Sequence, residues 1–128
     1  EAVLACLEER LAEVDIMQDD NFRVCVVGAS KGYPNDYSGV KGKRIYGLDD
    51  AMALDGVEIF GAGINIKNRE FYANGGRLFS VVGTGKNVLE AKRKAYEAMA
   101  MIDIEGNNLH FRTDIAWRDV ARYLKELQ

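Results

Sequence analysis

The residues best equipped for chemistry in this sequence lie in two glycine-rich stretches. The first, Gly28-Ala29-Ser30-Lys31-Gly32-Tyr33-Pro34-Asn35-Asp36-Tyr37-Ser38-Gly39, sets backbone N–H groups beside a serine hydroxyl, a lysine and two tyrosines. The second, Asn74-Gly75-Gly76, is followed directly by Arg77. Backbone donors gathered in a nest, with a guanidinium fork beside them, suit a phosphate or carboxylate: the fork supplies bidentate geometry and the loop supplies preorganised donors. The same composition also describes ordinary surface turns rich in Gly, Pro and Asn, beside which single cations are solvated. Taken residue by residue, a phosphometabolite site and a pair of plain turns both stand.

Other motifs fall away on their spacing. Gly83-Thr84-Gly85-Lys86 follows a strand pattern and precedes a helix pattern, but the first glycine of a nucleotide phosphate loop is replaced by Ser80, and Asn87 stands where a magnesium-binding Ser/Thr belongs. Gly61-Ala62-Gly63 lacks the third glycine of a dinucleotide fingerprint, because position 66 is isoleucine. His110 is the only histidine and has no Cys/His cluster around it, so it reads as a half-buried strand residue rather than a zinc ligand. A serine-hydrolase triad would need His110 as well, and no GxSxG accompanies it. Asp19-Asp20 and Asp49-Asp50 read as solvated or helix-starting charges rather than metal ligands. The sequence therefore offers no self-contained catalytic constellation and no metal site.

Around these loops the elements are legible. Leu4, Leu7, Leu11 and Val14 have amphipathic helical spacing with no capping residue ahead of them, so residues 1–20 read as a helical connection already under way at Glu1. On that reading residues 1–128 are one domain of a longer polypeptide. Phe22-Arg23-Val24-Cys25-Val26-Val27 is nearly continuously apolar, as expected of a buried strand. Leu48 to Leu54 suits a short helix closed by Gly56, and Val57-Glu58-Ile59-Phe60 a strand. Ile64-Asn65-Ile66, the turn Lys67-Asn68-Arg69-Glu70 and Phe71-Tyr72 form a hairpin, and Asn74-Gly75-Gly76 predicts a turn with positive φ. Leu78 to Gly83 is a strand with Arg77 at its entrance. Asn87 and Glu90 resemble a capping box, and Val88, Ala91, Ala95, Ala98, Met99 and Ile102 give the core stripe of a helix of roughly four turns. Leu109 to Arg112 reads as a strand, and Asp114 as the cap of a last helix carrying Trp117, Val120, Ala121, Leu124 and Leu127.

Charge and composition bound the partners. Seventeen Lys and Arg against twenty Asp and Glu give a net charge of -3, without the positive field of a nucleic-acid or anionic-membrane binder. No apolar stretch approaches the roughly 20 residues that span a bilayer, and the opening residues show no charged, then apolar, then small-residue pattern, so a soluble, unexported protein is expected. Cys6 and Cys25 show no CxxC spacing, which fits reduced thiols in a cytoplasmic protein.

The collinear blocks Val24-Cys25-Val26-Val27, Ala29-Ser30-Lys31-Gly32-Tyr33-Pro34-Asn35-Asp36-Tyr37, Gly75-Gly76-Arg77-Leu78, Ala95-Tyr96-Glu97-Ala98 and Arg112-Thr113-Asp114-Ile115-Ala116-Trp117-Arg118 carry a resemblance. Together they resemble the C-terminal domain of the phosphoribosylamine-glycine ligase family, also called glycinamide ribonucleotide synthetases, in the ATP-grasp superfamily. The resemblance implies an α+β fold, a small, largely antiparallel, barrel-sandwich-hybrid-like sheet domain with flanking helices that closes one side of an ATP-grasp active site. It implies a part in joining glycine to 5-phosphoribosylamine, with ATP and Mg2+, to give glycinamide ribonucleotide, ADP and phosphate in purine biosynthesis. Its partners would then be the upstream ATP-grasp domains of the same polypeptide and the two small substrates, with neither nucleic acid nor membrane.

The family's ATP and magnesium ligands lie in that upstream region, so no catalytic, cofactor or metal residue is assigned within the chain, and the isolated chain is expected to be inactive. The resemblance assigns Arg77, with Gly75 and Gly76, to substrate phosphate, and places Ser30, Lys31, Gly32, Tyr33 and Pro34 in the substrate-facing loop. Two departures stand out. Gly61-Ala62-Gly63-Ile64 replaces the family's HAGT, and the path from Tyr37 to Lys41-Gly42 is about two residues longer than the family's Tyr-x-Lys-Gly. The competing reading is a stand-alone, non-catalytic binding domain of the same fold; an RNA-binding module is disfavoured by the acidic balance.

Overall fold

The apolar patterns resolve into eight strands and four α-helices in a computed structural model that describes residues 1–128. In chain order these are α1 (Ala2–Leu7), β1 (Phe22–Ser30), β2 (Arg44–Tyr46), α2 (Leu48–Met52), β3 (Val57–Gly61), β4 (Ile64–Lys67), β5 (Glu70–Ala73), β6 (Arg77–Gly85), α3 (Val88–Ala100), β7 (Asp103–Ile104), β8 (Leu109–His110) and α4 (Trp117–Glu126). All pairings are antiparallel and form two four-stranded sheets, ordered β3-β6-β1-β8 and β4-β5-β2-β7. With helices alongside, this is the α+β class that the sequence resemblance implies.

The first sheet is built around the long β1 and β6 pair. Along β1, Val24, Val26 and Gly28 are buried while Cys25 and Val27 face out, so this apolar strand is covered on one face only, not on both as its composition suggests. Along β6, Phe79, Val81, Gly83 and Gly85 point inward. They meet α3, whose buried Val88, Ala91, Ala95, Ala98 and Met99 are the predicted stripe. Gly83 and Gly85 exist for this contact. A Cβ on Gly83 would lie 2.2 Å from the Ala91 carbonyl oxygen, and one on Gly85 2.6 Å from the Ala91 nitrogen. The Gly83-Thr84-Gly85 run is therefore a helix-packing surface rather than a phosphate loop.

Asn87 caps α3 as its spacing predicts, accepting from the Glu90 N–H at 2.9 Å, while the Glu90 carboxylate accepts from the Lys86 N–H at 2.8 Å. The Glu90 return bond reaches one residue further back than in the usual capping box.

Several expectations are corrected. The amphipathic spacing at the start does not give one long helix: α1 ends at Leu7, Glu9 takes φ 57, and only a 3-10 turn at Leu11–Glu13 follows. Leu4 and Leu7 are exposed, so no packed face holds the helix together beyond its first turns. The glycine loop begins later than expected, because Gly28, Ala29 and Ser30 still belong to β1. The last strand stops at His110, which is exposed rather than half-buried. Asp114 does not cap α4. Its carboxylate is held by Arg112 in a bidentate pair at 2.9 and 2.7 Å, and the N-cap position is Ala116 at φ 62. Tyr96 braces this approach: its hydroxyl donates to the Arg112 carbonyl at 2.6 Å and accepts from the Ile115 N–H at 3.1 Å.

Candidate functional site

The register of β1 and β6 decides where Arg77 goes. Pairing runs without interruption from Phe22↔Gly85 to Gly28↔Phe79, then jumps to Ala29↔Arg77, leaving Leu78 as the extra residue of a β-bulge. Side chains alternate along a strand, so without the bulge Arg77 would share the inward face of Phe79 and Val81. The bulge inverts that phase: Leu78 and Phe79 are both fully buried and Arg77 is exposed. Gly28 makes room for the change, since a Cβ there would overlap the Phe79 ring at 2.4 Å.

Asn74, Gly75 and Gly76 were expected to need positive φ, and none of them has it. Their glycines serve close approach instead. A Cβ on Gly76 would lie 2.3 Å from Cδ2 of Tyr33 and 3.1 Å from Cε1 of Tyr37, so two aromatic rings lie against the backbone just ahead of Arg77. From the other side, a Cβ on Gly63 would come within 2.7 Å of the Arg77 carbonyl oxygen and 2.9 Å of the Gly75 Cα. The Gly63 and Ala62 N–H groups donate to the Arg77 and Leu78 carbonyls, and the Asn74 N–H to the Gly63 carbonyl. The turn that departs from the family's HAGT is thus a backbone brace for the segment that carries Arg77.

Ser30 is the only buried polar side chain of the chain and is fully enclosed. Its hydroxyl donates to the Gly75 carbonyl at 2.7 Å, and its N–H to the Gly76 carbonyl at 2.7 Å. Ser30 therefore holds the Arg77 turn in place; its hydroxyl proton does not face solvent. Gly32 sits at φ 96, where a Cβ would strike the Asp36 carbonyl oxygen, so only glycine closes this loop without strain. The following Tyr33–Pro34 peptide bond is cis. The Asp36 carboxyl is held below its usual range by hydrogen bonds from the Ser38 side chain and backbone N–H.

These constraints shape an open depression of about 560 Å3 lined by Val27, Tyr33, Tyr37, Ala62, Gly76, Arg77, Ser80 and the buried Phe79. Its size is within the roughly 300–1,000 Å3 of small-ligand sites. Of the residues singled out from sequence, Tyr33, Gly76 and Arg77 line it, and Gly75 and Ser30 lie behind it. Lys31, Gly32 and Pro34 are exposed but do not line it. The Lys31 backbone N–H donates to the Asn108 carbonyl, which fixes its main chain away from the depression. Arg77 enters none of the chain's ion pairs, so its guanidinium is free to meet an anion. Sequence reading missed Val27, Tyr37, Ala62, Phe79 and Ser80 as lining residues. The available signal was Tyr37, four positions after Tyr33 in a loop otherwise built of small and polar residues. No group of three or more His, Cys, Asp or Glu is arranged to hold a metal ion.

Comparison with known proteins supplies a context for this geometry. Residues 23–118 match the family described as phosphoribosylglycinamide synthetase, C domain. The chain is 38% identical over 121 residues to the phosphoribosylamine--glycine ligase of Brucella melitensis biotype 1, covering 94% of this chain and 27% of that protein. It is 41% identical over 103 residues to the trifunctional purine biosynthetic protein adenosine-3 of Bos taurus, covering 80% and 10%. The crystal structure of phosphoribosylamine--glycine ligase from Thermotoga maritima superposes with a TM-score of 0.62 at 32% identity, over 85% of this chain and 26% of that one. The chain thus spans about a quarter of the length of the single-function ligases it matches.

Proposed function

Because the chain belongs to the phosphoribosylglycinamide synthetase C-domain family, we propose that it is the domain closing the substrate side of a ligase that joins glycine to 5-phosphoribosylamine with ATP. The proposal rests on one observation beyond the family: an unpaired, exposed Arg77 is aimed by a bulge into a depression whose backbone is braced from both sides. A guanidinium free of partners within the chain, carried on a braced backbone, is suited to the substrate's phosphate through charge-assisted, bidentate hydrogen bonds. Ser30 and Gly63 brace that backbone, Gly75 lies against Gly63, and Gly76 admits the rings of Tyr33 and Tyr37.

The chain's own residues do not fit an ATP-bound magnesium, since no acidic or Cys/His cluster is arranged for one. From the family we infer that ATP and Mg2+ are held by the remaining three quarters of a cytoplasmic ligase, and that this chain contributes substrate recognition and closure. Removing Arg77 from the full ligase should remove a charge-assisted contact made to the substrate. Arg77→Ala is expected to lower kcat/KM for phosphoribosylamine by about 1.5–3 kcal/mol, which is about 10- to 150-fold, with the KM values of glycine and ATP unmoved. Steady-state kinetics with each substrate varied in turn decides it, and an unchanged phosphoribosylamine kcat/KM would make Arg77 a surface residue.

A further inference from the structure

Tyr33 and Tyr37 are half-buried beside Arg77, with ring centroids 6.0 Å apart and planes tilted by 53°. The phenols that hydrogen-bond within the chain are those of Tyr72, to Glu70, and Tyr96, to Arg112 and Ile115. The Tyr33 and Tyr37 hydroxyls have no such partner, although both rings are packed at the Gly75-Gly76 turn. Tyr37 also lines a second, smaller depression of about 340 Å3, on the Gly75 side of the turn, with Asn74 and Lys41. Its ring thus divides the surface on either side of the turn.

An aromatic ring held by packing, with an unengaged hydroxyl at its edge, is a common recognition element for small polar molecules: the ring covers C–H groups and the hydroxyl both donates and accepts. Next to a guanidinium, which takes an anion, the neutral phenol is complementary to the hydroxyl-bearing part of the same ligand. We propose that Tyr37 is a specificity-determining residue of this site: its hydroxyl binds a sugar hydroxyl of the phosphorylated sugar whose phosphate Arg77 holds, with Tyr33 as the packing wall that fixes its ring. This rests on the reading of Arg77 as the phosphate contact. It explains why the loop keeps two tyrosines four residues apart where the fold demands only that something pack on Gly76.

The test is Tyr37→Phe in the full ligase, compared with Arg77→Ala. The substitution deletes an atom that bonds to nothing in the chain, so thermal stability should stay within about 1 °C of the parent. The KM for phosphoribosylamine should rise about 3- to 10-fold, the loss of one neutral hydrogen bond, with kcat and the KM of glycine within twofold. Competitive inhibition by ribose 5-phosphate should weaken by the same factor, while inhibition by inorganic phosphate should not change. An unmoved phosphoribosylamine KM in Tyr37→Phe alongside a raised one in Arg77→Ala overturns the proposal and leaves the reading of Arg77 intact. Equal weakening of ribose 5-phosphate and inorganic phosphate overturns the assignment to the sugar, and a fall in stability with all KM values raised makes Tyr37 structural. If neither variant moves the phosphoribosylamine KM, the site itself is misplaced and the proposal falls with it.

Discussion

Ser30→Ala isolates how much the buried clamp behind the site contributes. The hydroxyl is fully enclosed and donates to the Gly75 carbonyl at 2.7 Å, and no buried side-chain polar atom in the chain is left without a partner. Replacement by alanine removes one oxygen, opens almost no cavity, and leaves the Ser30 N–H bond to the Gly76 carbonyl in place. The loss is the hydrogen bond itself plus part of the desolvation penalty of the stranded Gly75 carbonyl, together about 1–2 kcal/mol, since Gly75 is only partly buried. For 128 residues the entropy of unfolding is roughly 0.27 kcal/mol per degree near 60 °C, so the midpoint should fall by about 4–7 °C. Calorimetry or thermal circular dichroism measures this, with Ser80→Ala as the matched control. Ser80 lines the same depression but makes no side-chain hydrogen bond, and its replacement should cost less than about 0.5 kcal/mol. Amide resonances of Gly75, Gly76 and Arg77 should shift in Ser30→Ala and not in the control. Equal effects of the two substitutions, or a midpoint change below about 1 °C in Ser30→Ala, would refute the claim that this bond holds the Arg77 turn.

Two further outcomes follow from the packing and capping of α3. Gly83→Ala places a methyl 2.2 Å from the Ala91 carbonyl oxygen and 2.5 Å from the Ala95 nitrogen. Both are helix backbone that cannot rotate away, so the variant should lose about 3 kcal/mol in denaturant unfolding, and a near-neutral result would mean that α3 is not seated on β6 as described. The Glu90 carboxyl is held below its usual range, chiefly by the Lys86 N–H and against the opposing effect of burial. A folded value below the unfolded one contributes stability above the unfolded value of roughly 4.3, and that contribution is lost as pH falls through the folded value. Glu90→Gln should therefore flatten the acid limb of stability below about pH 4, and NMR titration should find Glu90 below its model-peptide value; a normal value removes the assigned cause.

Local rules make much of this protein legible in its sequence. Helix α3 was readable because its cap, its three-and-four stripe and its neighbouring glycine all agree, and each is a short-range property of the chain. The β4–β5 hairpin was readable for the same reason: its turn residues Asn68 and Arg69 adopt the positive φ that a tight two-residue connection needs. The α+β fold and the family came from collinear blocks of sequence, while Arg77 stood out from its place behind two glycines and the resemblance assigned it a phosphate. Expectations that failed were those that treated a local signal as sufficient. Helical spacing at Leu4 to Val14 could not make a long helix with no surface to bury its apolar face, and Asp114 could not cap α4 while Arg112 held its carboxylate.

What sequence determined by itself was the set of groups present: one arginine beside two glycines, a serine at the end of an apolar strand, two tyrosines in a glycine loop, and a net charge too negative for a general polyanion binder. Tertiary structure decided how they face one another. A single extra residue in the β1–β6 ladder turns Arg77 from core to solvent, because side-chain direction alternates with a period of two and a one-residue slip reverses it. The glycines that looked like turn formers proved to be places where Tyr33, Tyr37 and Gly63 approach the backbone, contacts between segments 12 to 43 residues apart that no local pattern encodes.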